Sequence, residues 1–352
     1  VVVVSHAADR AGSVKVLLEL LRRVGPQLDL PLEVQLQAGG PLADELLSFG
    51  SPGRPDDVPA LVWVNNAAAA GCLWSYPAGT PSLVHVHEED EALTVLPTDV
   101  VDALRHRASR VVCVSVASAA QVVELGVDQS RVHLLPPPVL APQVEEREVE
   151  LVRKLTGLGL GGRRVVMACG EATWRKGADL FGEVVSYLAE DPSLDFVWVG
   201  RRRPRPFAAA LDADVQARGL ERRVRWLGEV AEPGSLLALA AVLVVTSRED
   251  PRPLVPFEAA YAGTPTVAFD VGGLGVMSAA GAAATVPYPD CRGLAGQVRA
   301  VIDDGRRAAG LVEAAVGLAR RDHDLDQVSA AFLDLVRSLL GDAPSRAESI
   351  AR

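Results

Sequence analysis

The sequence predicts an α/β protein with two Rossmann-like domains, each built on a parallel β-sheet with flanking helices. Short apolar runs typical of buried strands alternate with helix-like segments along the whole chain. The 352 residues exceed what one hydrophobic core usually holds. A composition of 49% hydrophobic and 23% charged residues is that of a globular protein and excludes a disordered or fibrous chain.

The first half of the chain contains predicted strands that are short, mostly β-branched apolar runs. They cover residues 1–4, 61–64, 82–86, 110–114 and 131–135. Apolar residues at helical spacing predict one helix over 14–24 and a second over 119–125. This alternation of strands and helices favours parallel strand pairing.

A change in composition between about residues 136 and 162 indicates a domain boundary. Three prolines open this stretch, an acidic helical segment follows, and GLGLGG at 157–162 closes it. We therefore predict an N-terminal domain over 1–140, a linker over 141–162 and a C-terminal domain over 163–327. The amphipathic C-terminal helix, predicted over 328–352, could pack on either domain, including a return to the N-terminal one.

The second half repeats the strand and helix alternation after the predicted linker. Its predicted strands cover residues 165–169, 196–199, 224–227, 242–246, 266–269 and 284–286. Its predicted helices cover residues 178–189, 207–217, 235–240, 254–262 and 293–303.

Charge, hydropathy and cysteine usage exclude several classes of function. A net charge of −10 argues against a nucleic-acid partner. The uncharged stretches are too short, or too often interrupted by Gly, Pro and Asn, to span a membrane. The N-terminus has no signal-peptide features, and because it lacks Met we expect a few residues to precede it. Four cysteines without a CxxC pair indicate reduced thiols and a cytoplasmic location.

Two histidines, His85 and His87, stand in the string HVHEED. The other histidines have no ligand-like spacing, so we predict no metal and no other cofactor. His87 follows the strand predicted at 82–86, and ligands bind at the carboxyl ends of strands in open α/β sheets. A solvated or helix-capping histidine remains the alternative.

The segment 246–273 combines a strand, a polar loop and a helix predicted to start near Pro253, a favourable first helical residue. A helix N-terminus at the end of a strand can hold a phosphate. Glu258 is placed to accept hydrogen bonds from a ribose, and Asp250 from a hydroxylated group beyond the phosphates. Lys176, beside Arg175, offers a compact positive charge for a diphosphate.

This region resembles the large retaining family 4 group of GT-B glycosyltransferases. SREDPRPLVPFEAAYAGTPTV at 247–267 has that family's acid, seven residues and Glu; GEATWRKG at 170–177 and SHAADRAGS at 5–13 also match it. The resemblance implies the GT-B fold, in which two Rossmann-like domains face an interdomain cleft. It implies an N-terminal domain that binds the acceptor and a C-terminal domain that binds the donor.

The resemblance also implies function. A sugar would move from a nucleoside-diphosphate sugar to an acceptor hydroxyl, with retention and without a metal, in polysaccharide or glycoconjugate biosynthesis. The acceptor would be a saccharide, a lipid-linked sugar or a small molecule. GRRRPRP at 200–206 leaves peripheral contact with the inner face of the membrane open, against an ordinary solvated loop.

The resemblance also implies roles for individual residues, according to the position of each in the matching segments. Lys176 falls on the diphosphate-binding lysine, Glu258 on the glutamate that holds the ribose, and Asp250 on the acid that contacts the donor sugar. His87 and Asp250 are the catalytic candidates. The implied donor-binding set is Gly12, Ser13, Arg175, Lys176, Glu249, Asp250, Leu254, Glu258, Gly272 and Gly273.

Four positions depart from the family pattern. Glu171 replaces an arginine, Asp250 a glutamate and Arg252 an aromatic residue, while 274–276 lacks the usual Pro-Glu pair. These departures keep a catalytically impaired donor-binding protein open as an alternative. A nucleotide-sugar 2-epimerase is the other alternative, although the few histidines disfavour it.

Overall fold

The computed structural model describes residues 1–51, 58–89, 91–202, 206–231 and 233–341. They form two compact units. The first unit joins Val1–Pro138 to the segment that starts at His323, and the second is Val139–Asp322. Each unit contains a six-stranded sheet whose neighbouring strands are all parallel. The predicted α/β class with two Rossmann-like sheets is confirmed.

The sheet of the first unit has the order β2-β1-β3-β4-β5-β6. Its strands are β1 (Val2–Ser5), β2 (Glu33–Leu36), β3 (Val62–Asn65), β4 (Ser82–Val86), β5 (Arg110–Cys113) and β6 (Val132–Leu134). Its helices are α1 (Gly12–Val24), α2 (Ala43–Leu47), α3 (Glu91–Thr94), α4 (Thr98–His106), α5 (Val116–Glu124) and, from the C-terminal end, α14 (Leu325–Gly341). A 3-10 helix covers Ala67–Ser75.

The helix α14 belongs to the first unit because its apolar face is buried there. Val328, Phe332 and Val336 recur at helical spacing and are at most 5% exposed. The Phe332 ring lies 4.6 Å from the ring of Trp63 in β3. The last part of the predicted C-terminal helix, 342–352, lies outside the described residues.

The sheet of the second unit has the order β12-β11-β10-β7-β8-β9. Its strands are β7 (Arg164–Cys169), β8 (Leu194–Val199), β9 (Val224–Gly228), β10 (Ala240–Val245), β11 (Thr266–Phe269) and β12 (Ala284–Val286). Its helices are α6 (Glu146–Thr156), α7 (Ala178–Ser186), α8 (Phe207–Ala217), α9 (Gly234–Leu239), α10 (Val255–Tyr261), α11 (Gly273–Ala279), α12 (Cys291–Asp303) and α13 (Gly305–Asp322).

The segment 141–162, which we predicted as a linker, lies within the second unit. Val149 and Val152 of α6 pack against that unit's core, and Leu158 is fully buried. Gly157 ends α6 with a φ of 66°, in the left-handed region that favours glycine. The GLGLGG string therefore turns the chain from α6 into β7.

None of the described helices combines the length and the apolar character that a bilayer span needs.

Candidate functional site

The topology of the second sheet places a candidate site at the carboxyl ends of β7 and β10. These neighbouring strands lie where the strand order reverses, so the connections that follow them leave in opposite directions. The loop after β7 carries Arg175 and Lys176, and the loop after β10 carries Glu249 and Asp250. Residues about 74 positions apart in the chain therefore meet at one edge of the sheet.

Lys176 and Asp250 form an ion pair at this edge. Lys176 Nζ lies 2.5 Å from Asp250 Oδ2, and the Ser247 hydroxyl donates to the same oxygen at 3.3 Å. The Asp250 side chain is 7% exposed and that of Lys176 is 21% exposed. A cavity of about 10 Å³, roughly the room of one water molecule, adjoins both residues. A phosphate that binds Lys176 must therefore compete with Asp250.

Backbone contacts hold the two loops together. The Thr246 hydroxyl donates to Gly177 O at 2.8 Å, and Arg248 N donates to Arg175 O at 2.8 Å. Gly177 has a φ of 66°, and a Cβ atom there would overlap the carbonyl oxygen of Thr246. Only glycine fits this position, which fixes the direction in which Lys176 leaves the loop.

The arginines of these loops differ in how their charges are compensated. Arg248 donates to both carboxylate oxygens of Asp179, at 2.9 and 2.6 Å, and its guanidinium lies 4.6 Å from the centre of the Trp174 ring. Arg175 is exposed and donates to the backbone oxygen of Glu249 at 3.0 Å, with no carboxylate partner among the described residues. Arg175 is therefore more available than Arg248 to bind an anionic ligand. Sequence reasoning did not single out the Arg248 cluster, because its members are far apart in the chain.

The helix predicted near Pro253 starts later, at Val255, and has only seven residues. Pro256 occupies its second position, where the missing N–H is not needed. Glu258 lies in the first turn and is partly buried, and Leu254 precedes the helix. The helix is therefore shorter, and starts two residues later, than the phosphate-binding helix that we predicted.

The predicted glycine pair supports Asp250 through the backbone. Gly273 N donates to Asp250 O at 2.9 Å, and a Cβ atom on Gly272 would overlap the same oxygen. Gly273 is also the first residue of α11. Leu274, one of the departures from the family pattern, is fully buried, whereas Val276 is exposed.

The reversed charge at Glu171 is compensated within the second unit. Its carboxylate accepts from Arg201 Nη2 at 2.8 Å and from Nε at 3.2 Å. Arg202 pairs with Asp212 at 2.5 Å. The rest of the basic run, residues 203–205, lies outside the described part of the chain.

In the first unit, Gly12 and Ser13 are the first two residues of α1, not loop residues as the glycine-loop resemblance implied. The Asp9 carboxylate accepts from Ala11 N at 3.0 Å, which closes the preceding turn and lets the helix begin at Gly12. The carbonyl oxygen of Ser13 accepts from Asn65 Nδ2 at 3.3 Å.

His87 lies directly after β4, at the carboxyl edge where we predicted it. Its Nε2 is 3.2 Å from Asn65 Oδ1, and its ring centre is 4.1 Å from that of His85. Burial, with smaller effects from His85 and His6, holds the pKa of His87 well below its usual range. The imidazole is therefore neutral at pH 7.

Glu88, not His87, caps the neighbouring helical turn. Its carboxylate accepts from Ala67 N at 3.1 Å and Ala68 N at 3.3 Å, the first residues of the 3-10 helix, and from His87 N at 2.9 Å. Asn65 and Glu88 were both missed as site residues. The acidic residues after HVH were the available signal for Glu88.

Among the described residues, no group of three or more His, Cys, Asp or Glu side chains is arranged to hold a metal.

Acidification is expected to destabilise the first unit through His85. Burial lowers the pKa of His85 from 6.5 to about 3. Below pH 6.5 the unfolded chain binds a proton that the folded chain does not bind until about pH 3. The free energy of unfolding is therefore retained above pH 6.5. It falls by roughly 1.4 kcal/mol for each pH unit between pH 6.5 and about pH 3.

Urea unfolding at pH 7 and pH 5 measures this effect, and the wild type should lose roughly 2 kcal/mol through His85. In His85→Leu, this part of the pH dependence should vanish, because the variant has no proton to bind at that position. An equal loss in both proteins would contradict the assignment.

Comparison with known proteins gives a consistent result. Residues 163–304 match the family described as glycosyl transferases group 1. The chain is 28% identical over 323 residues to the lipopolysaccharide core biosynthesis mannosyltransferase LpcC of Rhizobium leguminosarum bv. viciae, over 83% of this chain and 87% of that protein. It is 30% identical over 158 residues to the D-inositol 3-phosphate glycosyltransferase of Jonesia denitrificans, over 42% of this chain and 37% of the relative.

Solved structures share the fold. The HepE protein of Anabaena, solved in complex with UDP and glucose, superposes with a TM-score of 0.83 at 19% identity, over 96% of this chain and 99% of that chain. WaaG, a glycosyltransferase involved in lipopolysaccharide biosynthesis, superposes with a TM-score of 0.73 at 15% identity, over 95% and 99% of the two chains.

Proposed function

Because the chain is a glycosyltransferase with the GT-B fold, we propose that it transfers a sugar from a nucleoside-diphosphate sugar to an acceptor hydroxyl. The observation that carries this proposal is the meeting of Lys176, Arg175 and Asp250 at the strand-order reversal of the second sheet. The relationship to a lipopolysaccharide mannosyltransferase supports a role in polysaccharide or glycoconjugate biosynthesis.

In this proposal the second unit binds the donor. The diphosphate replaces Asp250 as the ion-pair partner of Lys176, and the exposed guanidinium of Arg175 adds a second positive charge. Asp250 is then able to accept hydrogen bonds from the donor sugar, and Glu258 from the ribose. Two fixed cations would stabilise the negative charge that develops on the leaving diphosphate.

We propose that the reaction needs no metal, because side-chain cations are placed to do that work, and that it proceeds with retention through attack on the same face of the sugar. EDTA should therefore leave the rate of transfer unchanged. A rate that falls with EDTA and returns with a divalent cation would contradict the metal-independent mechanism.

The acceptor is assigned to the first unit, which carries the neutral His87. A saccharide, a lipid-linked sugar and a small molecule remain the candidate acceptors. We propose a cytoplasmic location from the cysteine usage of the sequence, which has four cysteines and no CxxC pair.

Mass spectrometry of products tests the proposal. The enzyme is incubated with UDP-, GDP- and ADP-sugars, with and without a panel of saccharide and lipid-linked acceptors. Sugar transfer predicts a released nucleoside diphosphate and an acceptor heavier by one sugar. A 2-epimerised nucleotide sugar has the same mass as its donor, so its appearance without acceptor in proton NMR spectra would identify a 2-epimerase. Nucleotide binding, measured by calorimetry, with no product would identify an impaired donor-binding protein. The Glu171–Arg201 pair disfavours impairment at that position, since the reversed charge is compensated.

A further inference from the structure

Asn65 is a buried amide at the end of β3 whose orientation its neighbours determine. The residue is fully buried, and its Nδ2 lies 3.3 Å from Ser13 O and 3.1 Å from Asn66 Oδ1. A backbone carbonyl oxygen can only accept a hydrogen bond, so the atom that faces Ser13 must be the amide nitrogen. Oδ1 of Asn65 is therefore the atom that faces His87.

This orientation determines which nitrogen of His87 carries the proton. Nε2 lies 3.2 Å from Asn65 Oδ1, which can only accept, so Nε2 is protonated. Because the ring is neutral at pH 7, Nδ1 holds a lone pair. Within the described part of the chain, Nδ1 has no hydrogen-bond partner and is not enclosed.

The backbone around this pair is held tightly. Asn66 has a φ of 83°, a conformation that non-glycine residues rarely adopt. Asn66 N donates to His85 O at 2.9 Å, and Glu88 accepts from His87 N at 2.9 Å. Bonds on both sides of the Asn65–His87 contact therefore limit its movement.

The geometry points to Asn65 as a positioning residue that holds His87 in the Nε2-protonated form, so that Nδ1 accepts a hydrogen bond from a hydroxyl of the bound sugar substrate. This inference rests on the proposed function, since the hydroxyl belongs to that substrate. An acceptor atom at this point favours a sugar with a hydroxyl there and disfavours the analogue in which it is removed or methylated.

NMR of the ring nitrogens reads the tautomer without any substrate. The protein is labelled with ¹⁵N-histidine, and long-range ¹H–¹⁵N correlations are recorded; with six histidines, the signal lost in His87→Gln identifies His87. His323 is the internal control, because its Nδ1 lies 2.6 Å from Pro137 O and must be protonated. The wild type should therefore show His87 protonated at Nε2 and His323 protonated at Nδ1. A His87 protonated at Nδ1 would overturn the inference.

Two variants separate positioning from a structural role. Asn65→Leu removes the acceptor, so His87 should populate the Nδ1-protonated form and kcat/KM should fall about tenfold, with unchanged affinity for nucleoside diphosphate. Asn65→Asp keeps an acceptor and adds a charge, so His87 should keep its tautomer while its pKa rises. His85 and His6, the charged-group influences on the His87 imidazole, and Glu88, whose carboxylate accepts from His87 N, are the same in every variant.

An unchanged tautomer in Asn65→Leu would overturn the inference. If Asn65→Leu does not fold, an unchanged pKa of His87 in Asn65→Asp would overturn the inference. A wild type that transfers no sugar would refute the proposed function and leave the spectra readable, so the two failures are distinct.

Discussion

Replacing Lys176 with methionine is expected to lower kcat/KM for sugar transfer by about 10²–10³-fold. Methionine keeps the length of the side chain but removes the charge proposed to stabilise the leaving diphosphate. The substitution also leaves the nearly buried carboxylate of Asp250 without the ammonium that lies 2.5 Å away. Donor binding should therefore weaken together with the chemical step.

Lys154→Met is the matched control for this experiment. Lys154 lies on α6, its side chain is 69% exposed, and it lies 3.5 Å from Glu150, so the same substitution there should leave kcat/KM unchanged. Steady-state kinetics and thermal unfolding of both variants separate lost charge from lost stability. A folded Lys176→Met variant with wild-type kcat/KM would exclude Lys176 from the site.

Gly177→Ala is expected to destabilise the second unit by about 2–5 kcal/mol. The left-handed backbone at φ 66° costs an alanine about 1–2 kcal/mol, and overlap of its Cβ with the carbonyl oxygen of Thr246 adds about 1–3 kcal/mol. Relief of that overlap would separate the loops after β7 and β10. Nucleotide binding should therefore fall as well.

Gly219→Ala provides the comparison, because Gly219 has nearly the same φ of 67° but open space where a Cβ would be placed. Its cost should be only about 1–2 kcal/mol, with no effect on nucleotide binding. Urea unfolding of the two variants gives the difference. Equal losses would show that the close approach of Gly177 to Thr246 has no energetic importance.

The sequence predicted most strands of both sheets, because most of these strands are buried on both faces and therefore consist of continuous apolar runs. β2 was not predicted, since in this edge strand only Val34 is buried and its neighbours are polar. The helix Gly305–Asp322 was also missed. It is rich in Ala and Arg and buries only Ala315, Leu318 and Ala319, so its apolar periodicity is weak.

The candidate site was predictable only where its residues are close in the chain. The strand, loop and helix of the 246–273 segment are evident in the sequence itself. Only the family resemblance indicated that Lys176 belongs to the same site. The pairing of Lys176 with Asp250, the pairing of Glu171 with Arg201 and the contact of Asn65 with His87 depend on which strands are neighbours. Short-range periodicity carries no information about that order. The family resemblance placed Gly12 and Ser13 in a glycine loop, whereas in the structure they begin α1.

Binding of a nucleoside diphosphate to the loops after β7 and β10 is the step on which the proposed transfer depends. Isothermal titration calorimetry of the wild type and Lys176→Met with UDP, GDP and ADP measures it directly. We expect one nucleoside diphosphate to bind the wild type with a single site, and its affinity to fall at least tenfold in the variant. If none of the three binds the folded wild type, or if the variant binds equally well, then these loops do not hold the donor.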